Sequence, residues 1–336
     1  MTTTVPLTGE QHHIAAGRYR ATVTGLGAGL RELLYDDRPL IVGYQPDELP
    51  PAGHGQLLAP WPNRIDGGRY TFGGTDYQLA LTEPDAGNAI HGLTRWAAWS
   101  PVSHDANGVL LRSAPHGQQG YPFGLEIDAE YRLDANDGLH VAVIARNRGT
   151  RAAPYGTGSH PYLTAGTPVV DGCELTVPAA YWLPADNRGI PSGPPEPVEG
   201  TAYDFRKTRA IGTTRLDYAL TGLDRDGKGR AWAHLAGADS GVRLWAGEGY
   251  DWLQVFTGDP LPPGLQRRAL AVEPMTCPAN AFVTGDDLLI LEPGQVVTHS
   301  WGITAALPAA RPGWRRGGCC PGRWRRTGCA RPGRRR

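Results

Sequence analysis

Several features common in other protein classes are missing or scarce in this chain. No CxxC pair occurs among its five cysteines, so neither a zinc ribbon nor a redox dithiol is encoded. Two of the five, Cys173 and Cys277, lie in the body, and Cys319, Cys320 and Cys329 lie near the end. That arrangement is no disulfide framework and points to a reducing compartment, with a cytoplasmic location expected. Residues 1–20 contain no apolar segment followed by a cleavage pattern, so secretion is not expected. No apolar run approaches the length of a membrane span, and no membrane partner is expected. There is no GxGxxG opening a βαβ unit, no Walker A loop and no HExxH helix. The ten histidines show no metal-ligand spacing, His12 and His13 being adjacent and close to the start. Neither a cofactor nor a metal is expected.

Acidic residues are absent after Leu307, where residues 308–336 hold ten Arg. The formal net charge of zero therefore conceals an acidic body, with 23 Lys and Arg against 33 Asp and Glu before Pro308. An acidic body argues against nucleic acid as the partner. The last segment is Arg, Gly, Pro, Cys and Trp without periodicity and has no means of building a core. It is read as a disordered tail, 308–336, behind a body of residues 1–307.

Two methionines and five phenylalanines stand against 46 Gly and 30 Pro, a composition of many turns rather than long helices. The dominant period is two. Leu125 to Leu133 alternates apolar with charged residues, Asp134 to Gly138 reads as a hairpin loop, and Leu139 to Ala145 resumes the alternation. Shorter runs of the same kind occur at 19–24, 70–72, 77–81, 242–245, 252–257 and 296–303. Long Pro/Gly-rich loops cover 45–55 and 184–200. Many short strands with frequent turns predict an all-β sandwich or barrel.

Four short segments carry ionisable groups on constrained backbone. Trp61-Pro62-Asn63-Arg64-Ile65 places a guanidinium just ahead of a turn, where Arg64 is either a substrate ligand or a plain surface cation. Asn88-Ala89-Ile90-His91-Gly92 holds a histidine whose simpler reading is structural. Ser159-His160-Pro161-Tyr162 and Val272-Glu273-Pro274 each set an ionisable residue before a proline, which confines it to extended conformations. Groups held this way suit acid–base work, where positioning counts, although His-Pro and Glu-Pro also occur by chance.

Taken in chain order, these clusters resemble the aldose 1-epimerase (galactose mutarotase) family over about residues 17–305. The resemblance is carried by Gly25 to Leu30, by Leu58 to Ile65 with Gly68 to Phe72, and by Asn88 to Gly92 and Ser159 to Tyr162. It continues through Gly200 to Arg206, Leu216-Asp217-Tyr218, Leu253 to Thr257 and Val272 to Pro278. It implies a large antiparallel β-sandwich of the galactose mutarotase-like type, with a small-molecule sugar as the partner. By that likeness Glu273 is the base at the C1 hydroxyl and His160 the acid at the ring oxygen. Arg64 and His91 steady the ring-oxygen end, and Asp217 accepts hydrogen bonds from sugar hydroxyls. Tyr218 stands where the family more often has His, which leaves the details of sugar hydrogen bonding open. Two other readings share the fold: a hexose-6-phosphate 1-epimerase, which needs basic side chains near C6, and a non-catalytic sugar-binding protein. A structural or interaction module rests on the basic tail alone. The oligomeric state is not legible.

Overall fold

Alternation in Leu125–Asp134 dictates a strand with one wet and one dry face, and the neighbouring Gly138–Asn147 strand completes a ten-residue antiparallel hairpin. The Asp134 carboxylate accepts the backbone N–H groups of Asn136 and Asp137, and Gly138 takes a φ of +84° that closes the loop. Ile127, Ala129, Tyr131 and Leu133 enter the core. Asp128, placed in water by the alternation, is instead buried, because Arg112 and Arg146 each donate to it at 2.6 Å and close over it.

The computed structural model describes residues 5–306, so the Arg-rich segment 308–336 lies outside the described residues. Nine antiparallel strands, from Ser100–His104 at one edge to Arg209–Ala210 at the other, form one sheet with this hairpin inside it. An eight-stranded sheet faces it, and residues of both, such as Val141, Leu244, Leu253 and Val272, share one hydrophobic core. A four-stranded sheet built from Gln11–Ala16, Tyr19–Thr24, Leu30–Tyr35 and Arg38–Pro39 adds to that core through Ile14, Ala21 and Leu33. Of the sandwich or barrel that the periodicity allows, the antiparallel sandwich implied by the family resemblance is the architecture observed. Among the described residues the one α-helix is Ala281–Thr284, and no helix is long and apolar enough to cross a membrane.

One strand boundary differs from expectation. The run 77–81 is paired only within Thr75–Gln78, opposite Arg69–Phe72. The Gly73-Gly74 turn starts the return at Thr75, and beyond Gln78 the pairing ends in a single bond, Leu79 N–H donating to the Gly68 carbonyl at 2.8 Å. The 184–200 loop also contains a two-residue strand, Glu196–Pro197, against Tyr181 and Trp182.

Period two decides where a site can form on the eight-stranded sheet. Leu220, Leu253, Val255 and Val272 point into the shared core. The alternate positions Asp217, Gln254 and Glu273 point away from it, into an open face flanked by two small apolar clusters around Trp252 and Tyr162. The chemistry-bearing residues therefore sit on the outer face of a rigid sheet.

Candidate active site

The Leu270–Met275 strand is buried at every position and pairs on one side with Trp252–Phe256, Gln254 lying opposite Glu273. Its other side meets two short pieces of chain: Gly158 pairs with Met275, and Tyr162 and Leu163 pair with Ala271 and Leu270. Between them His160 leaves the ladder, while the Pro161 carbonyl still accepts the Val272 N–H at 3.3 Å. Neither Pro161 nor Pro274 has an N–H to satisfy, so the break leaves no orphaned donor at those positions. The His160 backbone is bound instead by the preceding loop: its N–H donates to the Gln56 carbonyl at 3.1 Å, and Gly55 donates to its carbonyl at 2.9 Å. The two pre-proline residues are thereby brought together, His160 Nε2 lying 3.3 Å from Glu273 Oε1.

The imidazole of His160 is fixed on three sides. It stacks on Tyr162 with centroids 4.9 Å apart and planes 8° from parallel, and Tyr162 stacks in turn on His54 at 3.6 Å. His91 meets it edge-on at 5.3 Å. Gly53, at φ +78°, lies beneath the ring, where a Cβ would come 3.1 Å from His160 Cδ2.

His91 and Asn63 hold each other in left-handed backbone conformations, φ +62° and +53°. His91 N–H donates to the Asn63 carbonyl at 2.9 Å, and Asn63 N–H donates to His91 Nδ1 at 3.2 Å. Because Nδ1 accepts, the ring proton of neutral His91 is on Nε2, making it a donor. Left-handed non-glycine residues concentrate at functional sites, where surrounding contacts over-determine them.

Arg64 is no surface cation. Its guanidinium grips Glu83 through two bonds of 2.8 and 2.9 Å in the cleft wall, and Glu83 also accepts from Asn88. Asp217 stands at the open end and accepts from Gln254 Nε2 at 2.7 Å, while Gln254 Oε1 accepts from Asn63 Nδ2 at 3.2 Å. Together these residues line a cleft of about 370 Å³ that also reaches Arg95, Trp96 and Leu261.

Burial sets the protonation states. It pushes the Glu273 carboxyl well above its ordinary range; Asp217 adds to the rise and Arg64 opposes it. Burial pulls His160 down to about 3, with His54 next in effect, and pulls His91 well below its ordinary value. Asp217 is solvent-accessible through the cleft mouth but otherwise surrounded by protein; burial raises it against the pull of Arg64. Burial alone would lower Arg64, but its Glu83 partner outweighs that and holds it up. Among the described residues no group of three or more His, Cys, Asp or Glu is placed to hold a metal ion.

The sequence model of the family described as aldose 1-epimerase matches residues 10–304. The chain belongs to the aldose 1-epimerase family. It is similar to the uncharacterized protein YihR of Escherichia coli (strain K12), with 38% identity over 293 residues covering 87% of this chain and 92% of that one. It is also similar to the galactose mutarotase of Mus musculus, with 32% identity over 234 residues and 66% of each chain covered. In fold it resembles the crystal structure of an aldose epimerase homologue from C. elegans. The TM-score is 0.80 at 20% identity, over 89% of this chain and 99% of the other.

All five residues singled out in the sequence, Glu273, His160, Arg64, His91 and Asp217, line this one cleft of the aldose 1-epimerase fold. Four other polar or charged residues, Gln254, Asn63, Glu83 and Arg95, also line the cleft. Gln254 was visible as the one amide in the otherwise apolar Trp252–Phe256 run, and Asn63 stood inside a quoted motif. Glu83 precedes Pro84, the same signal that marked His160 and Glu273. Nothing in the sequence marked Arg95.

Proposed function

We propose that this chain is an aldose 1-epimerase that interconverts the α and β anomers of an aldose such as glucose or galactose, with Glu273 and His160 as its acid–base pair. The 3.3 Å contact between them carries the reading. Anomerisation removes a proton from the C1 hydroxyl, delivers one to the ring oxygen, and closes the ring again after rotation about C1–C2. Both oxygens are bonded to the same carbon, so the acid and the base that serve them must stand side by side. A buried pair in mutual contact meets that demand.

The proton inventory also fits. Burial raises Glu273 and lowers His160, so a proton shared by the pair rests preferentially on the carboxyl. Moving it across the contact gives a carboxylate and an imidazolium, a base and an acid at once, with no proton drawn from solvent. In ring opening the carboxylate takes the C1 hydroxyl proton while the imidazolium protonates the ring oxygen. Closure reverses both transfers on the other face of C1. No electrons change hands and no water is consumed, so the reaction as written uses no cofactor.

His91 offers its Nε2–H beside this pair and stabilises charge developing at the ring-oxygen end, helped by the field of Arg64. Asp217, oriented by Gln254, accepts hydrogen bonds from hydroxyls remote from C1. The two buried free thiols, Cys173 and Cys277, support a cytoplasmic location. The test is polarimetry of freshly dissolved α-glucose and α-galactose, each against its uncatalysed rate. The reading requires acceleration of at least one by catalytic amounts of protein.

A further inference from the structure

We propose that His54 is a positioning residue for the acid–base pair: through Tyr162 it sets the plane of the His160 ring, and with it the direction of Nε2 toward Glu273. This rests on the anomerisation reading above and adds to it a residue that acts from behind the cleft wall.

The plane of a histidine ring is not fixed from within, because the torsion that turns the ring has broad minima. In an acid–base histidine the second ring nitrogen commonly fixes that plane through a hydrogen bond. His160 lacks this device: apart from its own backbone, Nδ1 has no hydrogen-bond partner among the described residues. An aromatic column bears on the ring instead. Tyr162 lies 4.9 Å from His160 and His54 lies 3.6 Å from Tyr162, with planes 8° from parallel at both steps. Two rings this near one phenol ring would overlap if they shared a face of it, so His54 and His160 take opposite faces of Tyr162. Without His54 the far face of Tyr162 loses its backing, and the phenol is free to tilt away from His160.

The turn that carries His54 is built to hold it. Gly53 and Gly55 flank it at φ +78° and +69°, and a Cβ at Gly55 would collide with the Leu30 carbonyl. His54 donates to the Pro51 carbonyl from its backbone N–H, at 3.0 Å, and from Nδ1. The Tyr162 hydroxyl donates to the Ala52 carbonyl at 3.1 Å, so the same turn grips both outer rings of the column. Ala52, Gly53 and Tyr162 line the cleft, and His54 stands behind Tyr162. Burial pulls His54 down to about 4, so near neutral pH the column supports His160 without placing a second cation beside it.

The test changes the ring at position 54 and leaves the cleft lining as it is. H54L removes the flat face, and H54F keeps it. In polarimetric kinetics H54L should lower kcat about tenfold or more with KM nearly unchanged, because the sugar contacts remain while the acid–base pair loses alignment. H54F should recover most of that loss. H54M, a flexible side chain of similar bulk, takes the place of H54L if that variant does not fold, and the same outcomes apply to it. A folded H54L with the wild-type kcat, a change confined to KM, or an H54F as slow as H54L overturns the proposal. The ring of His160 gives a second readout that packing alone would not move. Its Cε1–H proton resonance, identified by its disappearance in His160→Asn, should shift in H54L and hold its place in H54F. A resonance unmoved in H54L overturns the proposal whatever the kinetics. If the wild type anomerises no sugar, the activity reading fails, and this resonance alone decides whether His54 positions His160.

Discussion

Gln254 lies directly across the ladder from Glu273, and its amide binds Asp217 on one side and Asn63 on the other. One residue thus ties Glu273, through the backbone ladder, and Asp217 and the loop that carries Arg64, through its side-chain amide, to a single rung of the sheet. Gln254→Met keeps the volume but leaves Asp217 Oδ1 and Asn63 Nδ2 without these partners. Steady-state kinetics should show KM rising about tenfold with a smaller change in kcat, as expected for one lost charge-assisted bond. A fall confined to kcat would mean that Gln254 acts on the chemistry rather than on binding.

The 184–200 loop reaches the cleft at Gly189. A Cβ there would meet Arg64 Nη1 at 2.6 Å, and its φ of +74° disfavours any other residue. Gly189→Ala should displace the guanidinium from the Glu83 fork, with kcat/KM falling about tenfold and stability by about 1 kcal/mol. An unchanged kcat/KM would show that the loop does not position Arg64.

Burial pulls His54 down to about 4 from an ordinary 6.5. As pH falls below 6.5 the unfolded chain takes up this proton first, so the stability tied to neutral His54 is complete above 6.5 and drains away toward pH 4. The slope is at most about 1.4 kcal/mol per pH unit for one such group. His54→Phe keeps an aromatic ring against Tyr162 without the titration. Melting temperature plotted against pH should therefore decline less steeply in this variant than in the wild type across that window. Parallel curves would mean that His54 titrates normally.

Much of this was legible because the signals were local. Period two in 125–133 and 139–145 encodes a half-buried hairpin, and a proline after His160 and after Glu273 encodes stiff backbone. The same pre-proline signal occurs at Glu83, which anchors Arg64, and at Glu196, which lies exposed in a two-residue strand with no part in the cleft. Local rules cannot separate these cases, because what differs is which strand lies alongside. The pairing of Gly158 and Tyr162 to one strand, with His160 in the gap, is a long-range choice. Asp128 illustrates the same limit: alternation put it in water, and two arginines from neighbouring strands covered it.

The most direct test of the central claim is the kcat of mutarotation, followed by polarimetry, for the wild type, Glu273→Gln and His160→Asn, each shown folded by its thermal transition. Glutamine cannot take the C1 hydroxyl proton, and asparagine cannot hold one for the ring oxygen. Both substitutions should lower kcat by about 10²–10⁴. A folded variant of either kind that turns over sugar at the wild-type rate would contradict the assignment of that residue to the acid–base pair.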